Sequence, residues 1–235
     1  MKSDSAALDW AALYQIFPAP IAALDCGKKC GRYNARGVPF CCDTRHLVPA
    51  AYPEEWAYLL GETDLWHRWK GRSAEEREAL TAQVEEGQVL LECLGHQHCQ
   101  RDYRSLACRA FPFYPYLTED GRFLGLAALR GYSDRCWVIS NLEVVTDRYR
   151  TQFVNAFEYL FRHRAETREH FRVFAASERE HYQQRGRQIP LLHRNGSDNY
   201  LDPESGRLTR VSREDFPRFE PYVTMRELPF PDEVE

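Results

Sequence analysis

Eight cysteines are the residues of this chain best suited to chemistry. Four of them lie within residues 26–42 and three more within 93–108, which is not a random scatter. The first ten residues contain no apolar segment typical of a secretory signal, so we expect a cytoplasmic protein with reduced thiols. Such clusters ligate metal more often than they form disulfides or pack as unrelated thiols. We therefore predict a metal centre with these candidate ligands: Cys26, Cys30, Cys41, Cys42, Cys93, Cys99, Cys108 and Cys136.

The first cysteine motif is Cys26-Gly-Lys-Lys-Cys30, followed by the adjacent pair Cys41-Cys42. Three intervening residues allow a turning backbone to bring the sulfurs of Cys26 and Cys30 to one metal. Adjacent cysteines rarely serve one tetrahedral ion, because their side chains diverge. Either one of Cys41 and Cys42 is a ligand and the other packs, or the two serve different metals.

The second motif runs from Cys93 through Cys99 to Cys108-Arg-Ala-Phe-Pro. A thiolate centre carries negative charge, which arginines can offset, and an apolar wall can limit its contact with solvent. Surface arginines and core aromatics are the alternative interpretation. The candidates for charge compensation are Arg101, Arg104 and Arg109, and those for the wall are Phe111, Pro112, Phe113 and Tyr114.

These two motifs resemble those of the YkgJ-like cysteine-cluster family, described as a zinc- or iron-chelating domain and related to flagellin lysine-N-methylase. The resemblance covers about residues 26–136, and Cys108-Arg-Ala-Phe-Pro is its most specific part. Ten residues separate Cys30 from Cys41, where the family usually has only a few. The resemblance implies metal binding by the cysteines, with Cys136 as a further, late ligand.

Tetrahedral thiolate sites suit both zinc and iron–sulfur clusters. Eight thiols can hold two zinc ions, or one four-iron–four-sulfur cluster with thiols to spare, and His96 and His98 can enter a mixed zinc site. The wide spread of the ligands, the aromatic flank and the resemblance to a methylase thought to use a cluster favour iron–sulfur. We expect Arg109, Tyr103 and Tyr114 to line the site.

Motifs of several enzyme classes are missing from the sequence. It contains no G-x-G-x-x-G, P-loop, G-x-S-x-G or H-E-x-x-H, nor the C-x3-C-x2-C spacing of radical S-adenosylmethionine enzymes. The leading hypothesis is a cytoplasmic iron–sulfur protein that acts in redox chemistry or in modification of a protein or peptide. The alternatives are a zinc-stabilised binding module without turnover and a purely structural thiol-rich domain.

We predict an α+β fold: a mostly helical single domain, with short strands and hairpins, organised around the metal centre. Hydrophobic residues make up 43% of the 235, enough for a sizeable core, and no apolar run is long enough to span a membrane. A net charge of −4 argues against a dedicated nucleic-acid binder. We expect a cysteine-cluster domain over 1–145, with 146–235 as a helix and hairpin extension packed on it.

Periodicity and capping signals place the elements along the chain. We predict that residues 25–50 form an irregular loop, which metal binding can order. We predict helices over 5–17, 53–69, 73–86 and 147–164, with a helix-compatible stretch to 185. We predict a strand over 89–94, a hairpin of 113–117 with 122–129, and a second hairpin turning at 202–206.

Overall fold

A computed structural model describes residues 8–223 of the chain. Seven α-helices lie in this part: α1 (Trp10–Ile16), α2 (Cys26–Gly31), α3 (Pro53–Glu62), α4 (Ala74–Thr81), α5 (Leu106–Ala110), α6 (Asp147–His163) and α7 (Ala165–Gln184). Eight strands accompany them: β1 (Ala50–Ala51), β2 (Trp66–Arg68), β3 (Val89–Cys93), β4 (Phe113–Leu117), β5 (Phe123–Ala128), β6 (Ile189–His193), β7 (Asp198–Leu201) and β8 (Leu208–Arg210).

The strands form two antiparallel sheets. The small sheet has the order β1-β3-β2, and the larger one runs β4-β5-β6-β7-β8. Helices α6 and α7 are inserted between β5 and β6. With 44% helix and 15% strand, the chain is one α+β unit with more helix than strand. Since β5 pairs with β6, the larger sheet contains residues from both sides of the predicted boundary at 145.

Strand β4 is buried on both faces, because successive side chains of a strand point to opposite sides. Phe113 and Leu117 join the main core, which α1 and α6 also enter. Tyr114 and Tyr116 join a second, smaller core formed against α7. The aromatic stripe predicted for α6 is buried in the main core, so that prediction is confirmed.

Two predicted elements differ from the structure. The helix expected over 53–69 ends at Glu62, and Trp66–Arg68 pairs instead with β3 as strand β2. Gly61 weakens the helical propensity in the middle of this stretch, and pairing with β3 outweighs what remains of it. The stretch 25–50, expected to be irregular, contains the short helix α2. Its first turn is capped by Asp25, whose carboxylate accepts the N–H of Gly27 at 3.1 Å.

The remaining predicted elements are present, most of them with slightly shorter bounds, while β4 has the predicted bounds. Ser73 caps α4 as predicted, accepting the N–H of Glu76 at 3.1 Å, although α4 ends at Thr81. Both predicted hairpins form, as β4–β5 and β7–β8. Helix α1 is capped by Asp9, and the caps predicted at Asp4 and Ser5 lie outside the described residues.

Candidate metal centre

The first four cysteines lie on two short elements that contact each other. Cys26 and Cys30 are on α2, one helical turn apart and therefore on the same face. Cys41 and Cys42 are on a 3₁₀ turn over residues 40–42, which packs against α2. Helix α2 also packs against a second 3₁₀ turn, over 137–140, which directly follows Cys136. The fold thus brings Cys136 to a segment more than a hundred residues earlier in the chain.

Asp43 holds this segment in shape. Its fully buried carboxylate accepts hydrogen bonds from Arg45 at 2.7 Å and from the Asn34 side chain at 3.1 Å. The hydrogen bond from Arg45, with that from Asn34, holds the pKa of Asp43 well below its usual range. An ion pair between the buried Asp43 carboxylate and the exposed Arg45 side chain therefore orders the chain immediately after Cys42.

The other cysteines are positioned by the small sheet and by α5. Cys93 ends β3, where it pairs with Trp66 of β2. The indole of Trp66 donates to the carbonyl oxygen of Tyr103 at 2.7 Å, which fixes the segment between Cys99 and Cys108. Cys108 lies on α5, which packs against β1 of the same sheet.

The thiols lie close enough to repel one another when ionised. Burial raises the pKa of Cys30 to about 11, and the charges of Cys26 and Cys42 add to that rise. Burial raises the pKa of Cys108 to about 12, with contributions from Cys42 and Cys93. Cys42 influences both Cys30 and Cys108, so it lies within electrostatic range of a cysteine from each motif.

Cys41 and Cys42 are linked through their sulfurs. Cys41 donates a hydrogen bond to Cys42, which is the main cause that raises the pKa of Cys41 and lowers that of Cys42. Negative charges at Cys30 and Cys136 also disfavour ionisation of Cys41. Cys42 is consequently the thiol of this pair that ionises first.

Arg104 is a cation in direct contact with one of the thiols. Its Nε donates to Sγ of Cys99 at 3.1 Å. Burial raises the pKa of Cys26 and of Cys108, and the charge of Arg104 opposes that rise. At Cys42 the same charge acts together with the hydrogen bond from Cys41. One guanidinium therefore offsets thiolate charge in both motifs.

Backbone N–H groups also face the sulfurs. Burial raises the pKa of Cys30 and of Cys93, and hydrogen bonds from the amides of Phe40 and Gly95 counter this rise. Burial also raises the pKa of Cys136, and amide hydrogen bonds from the 3₁₀ turn that follows it counter this rise. Amide-to-sulfur hydrogen bonds are one of the means by which proteins stabilise metal-bound thiolates.

Arg109, predicted to line the site, is bound elsewhere. Its Nε donates to the carbonyl oxygen of Arg104 at 2.9 Å, and its terminal nitrogens donate to the carbonyl oxygens of Phe17 and Asp102. Its guanidinium lies 4.1 Å from the ring centre of Tyr14. Arg109 therefore connects α1 to α5, the helix that carries Cys108.

The two predicted tyrosines occupy different places. Tyr103 lies between the motifs, half-buried, and its carbonyl oxygen accepts the indole N–H of Trp66. Tyr114 lies in the second core, with its ring 4.8 Å from that of Phe174 on α7. Because successive side chains of β4 point to opposite faces, Tyr114 points away from the main core, which contains Cys30. Its predicted role in lining the site is therefore not supported by its position.

Two tyrosines that the sequence did not single out for the site lie beside the thiols. Burial raises the pKa of Tyr149 strongly, and negative charge at Cys26 and Cys136 adds to this. The pKa of Tyr222 is raised by burial and then by Cys30 and Cys136. Tyr149 was recognisable only as part of the α6 stripe, and Tyr222 carried no signal.

A buried carboxyl group supports the helix that carries Cys108. Glu55 of α3 is 1% exposed, and its Oε1 accepts the N–H of Leu106 at 2.6 Å and the Tyr14 hydroxyl at 2.8 Å. Burial raises the pKa of Glu55 to about 7, although these hydrogen bonds lower it. This role could not be predicted from the sequence, because the adjacent Glu54 is an equally acidic residue in the same helix turn.

His96 and His98 lie on a 3₁₀ turn between Cys93 and Cys99. His96 is half-buried and His98 is exposed. Within residues 8–223, no group of three or more His, Cys, Asp or Glu side chains has an arrangement that could hold a metal ion. The donor set itself fits a thiolate-bound metal, since soft sulfur ligands, amide donors and a compensating cation are all present.

No known protein family, curated protein or solved structure matches this chain. The resemblance to the YkgJ-like family accordingly stays a prediction. None of the helices formed by residues 8–223 has the length and apolar character that a membrane span requires.

Proposed function

We propose that this chain is a cytoplasmic iron–sulfur protein, with a four-iron–four-sulfur cluster held by its cysteines, that acts in redox chemistry or in modification of a protein or peptide. One observation supports it above all: thiols from both motifs and Cys136 lie within electrostatic range of the Cys41–Cys42 pair, and Arg104 donates a hydrogen bond to Cys99. Such a convergence of distant cysteines is what a metal–thiolate centre needs.

The raised pKa values of Cys30 and Cys108 argue against either of these thiols as a nucleophile. Reactive cysteines have a lowered pKa, because the thiolate is the attacking form. Here burial raises the pKa of Cys30 to about 11 and that of Cys108 to about 12. A bound metal cation would reverse this, because it stabilises the thiolate directly.

The surroundings of the thiols favour a cluster over zinc. Amide hydrogen bonds, a nearby guanidinium and buried tyrosines are the features that set the potential of an iron–sulfur cluster. Redox-inactive zinc has no potential to set. A cluster of several iron atoms also spans a wider gap between sulfurs than one ion does, so its ligands need not already meet at a point.

Anaerobic purification tests the proposal. We expect a brown protein with iron, acid-labile sulfide and a broad visible absorption band that dithionite bleaches. Cys108→Ala should lose most of this absorption. Tyr114→Phe is the matched control, because its hydroxyl has no hydrogen-bond partner in the described chain, and it should keep the absorption. A colourless protein with stoichiometric zinc would contradict the proposal and identify a zinc-stabilised binding module.

A further inference from the structure

We infer that residues 212–223 form a strap across the face of the molecule that carries Cys30 and Cys136, and that Tyr222 near its end limits access to these two thiols. Opening of the strap then exposes both thiols to reagents, oxidants and metal ions in solution. The inference concerns the thiols whether or not they bind metal, so it does not depend on the proposed function.

The strap begins at the larger sheet. The guanidinium of Arg213 donates to the carboxylate of Asp198 on β7 at 3.0 Å. Three residues later, the ring of Phe216 is buried against the ring of Tyr200 on the same strand, with 5.3 Å between the ring centres. The hydroxyl of Tyr200 also donates to the carbonyl oxygen of Asp215 at 3.0 Å. These contacts fix the point at which the strap leaves the sheet.

The middle of the strap lies along the segment that follows Cys136. The hydroxyl of Ser140 accepts the N–H of Phe219 at 2.9 Å and donates to the carbonyl oxygen of the same residue at 3.3 Å. The guanidinium of Arg218 donates to the carbonyl oxygen of Ser140 at 2.9 Å and to the carboxylate of Glu143 at 2.6 Å. The strap therefore runs beside the 3₁₀ turn that packs against α2.

Tyr222 joins the strap to both cysteine-bearing segments. Its hydroxyl donates to the carbonyl oxygen of Arg135, directly before Cys136, at 2.7 Å. Its ring lies edge-on to the ring of Tyr33, with 5.4 Å between the ring centres, and the N–H of Tyr33 donates to the carbonyl oxygen of Cys30 at 3.0 Å. Tyr222 is buried in the same core as Cys30. Its side chain therefore bridges the end of α2 and the segment around Cys136.

The way in which the strap is held allows it to open while the core stays folded. Residues 212–223 contain one 3₁₀ turn and no strand, and the contacts beyond Phe216 depend on the side chains of Arg218, Ser140 and Tyr222. Segments held in this way open at a lower free energy than paired strands or packed helices. Loss of one such side chain therefore favours the open strap, whereas α2 and the two sheets keep their own contacts.

Cysteine labelling of the full-length protein with iodoacetamide, read out by mass spectrometry of each cysteine peptide, tests the strap. We expect Tyr222→Ala to raise the labelling rates of Cys30 and Cys136 about tenfold, which corresponds to about 1.4 kcal/mol of lost contact. Cys99, in the second motif, should keep its rate and so reports any general loosening of the fold. Val223→Ala is the matched control, because Val223 is the adjacent residue and is exposed, and it should leave all three rates unchanged.

Arg218→Ala loosens the strap at a different point and should act on the same two thiols, so the test stands even where Tyr222→Ala does not fold. The rates are measured on protein purified without oxygen and again after treatment with a chelator, because bound metal also protects thiols. Unchanged rates at Cys30 and Cys136 in both preparations would overturn the inference. An equal rise at Cys99 in the chelator-treated protein would overturn it as well.

The metal content of the same samples reports separately on the proposed function. A protein that contains zinc, or no metal, contradicts the iron–sulfur proposal and leaves the labelling result for the strap intact. Conversely, an iron–sulfur protein whose labelling rates do not respond to Tyr222→Ala or Arg218→Ala keeps the proposed function and loses the strap.

Discussion

Glu55 provides a sharp test of how the fold supports the cysteine-bearing helix α5. Its carboxyl group is buried and accepts the N–H of Leu106 at the start of α5. Burial raises its pKa from an ordinary value of 4.5 to about 7. The neutral acid is thus the preferred form in the folded state below about pH 7.

The sign of the pH effect follows from this rise. Below pH 4.5 the group is neutral in both the folded and the unfolded chain, so its full contribution to stability is present. That contribution is lost as the pH rises through about 7, because the folded protein must then ionise a buried carboxyl. At about 1.36 kcal/mol per pKa unit, the loss amounts to about 3 kcal/mol.

The replacement Glu55→Gln removes the titration and keeps the shape and the acceptor oxygen. We expect the variant to gain about 2 to 3 kcal/mol relative to the unaltered protein between pH 5 and pH 8. Urea unfolding of both proteins, prepared in parallel without oxygen, measures this difference. Glu54→Gln is the matched control, because Glu54 is exposed and pairs with Arg164 at the surface, where ion pairs contribute at most about 1 kcal/mol. A difference that stays constant from pH 5 to pH 8 would refute the reasoning.

Three further predictions concern the site and its supports. Arg104→Met should lower the midpoint potential of the centre by about 60 mV in a dithionite titration, because about 1.4 kcal/mol of a charge-assisted hydrogen bond corresponds to that one-electron shift; an unchanged potential would argue against charge compensation by this residue. Trp66→Phe should cost about 1 kcal/mol of stability in urea unfolding, since it leaves the Tyr103 carbonyl without its donor, and an equally stable variant would contradict that. Asp43→Asn should destabilise the protein by about 2 kcal/mol at pH 7, because it removes the buried partner of Arg45. The effect should begin to shrink as the pH falls below 3.8 and should disappear only at a much lower pH, where the carboxylate of the folded protein is protonated as well.

Hydrophobic periodicity and capping residues correctly predicted the elements whose local preferences agree with their tertiary contacts. The α6 stripe, the Ser73 cap and the hairpin around residues 118–122 need only short-range information. The stretch 63–69 was mispredicted as helix, because its pairing with β3 depends on residues more than twenty positions away. Helix α2 is six residues long, too short for periodicity to reveal.

The candidate site shows the same limit. Residue type and spacing identified the eight cysteines, and Arg104 was one of three candidate arginines. Sequence could not choose Arg104 over Arg109, because both guanidinium positions depend on how α5 packs against α1 and the small sheet. It could not find Glu55 either, since burial alone distinguishes it from its neighbour Glu54.

The central claim is that these sulfurs bind iron. X-ray absorption at the iron edge, on protein kept free of oxygen, tests it most directly because it reports the neighbours of the metal. We predict sulfur ligands together with a second shell of iron atoms, as a cluster requires. No absorption at the iron edge, together with zinc absorption that reports four sulfur ligands at about 2.3 Å, would contradict the account.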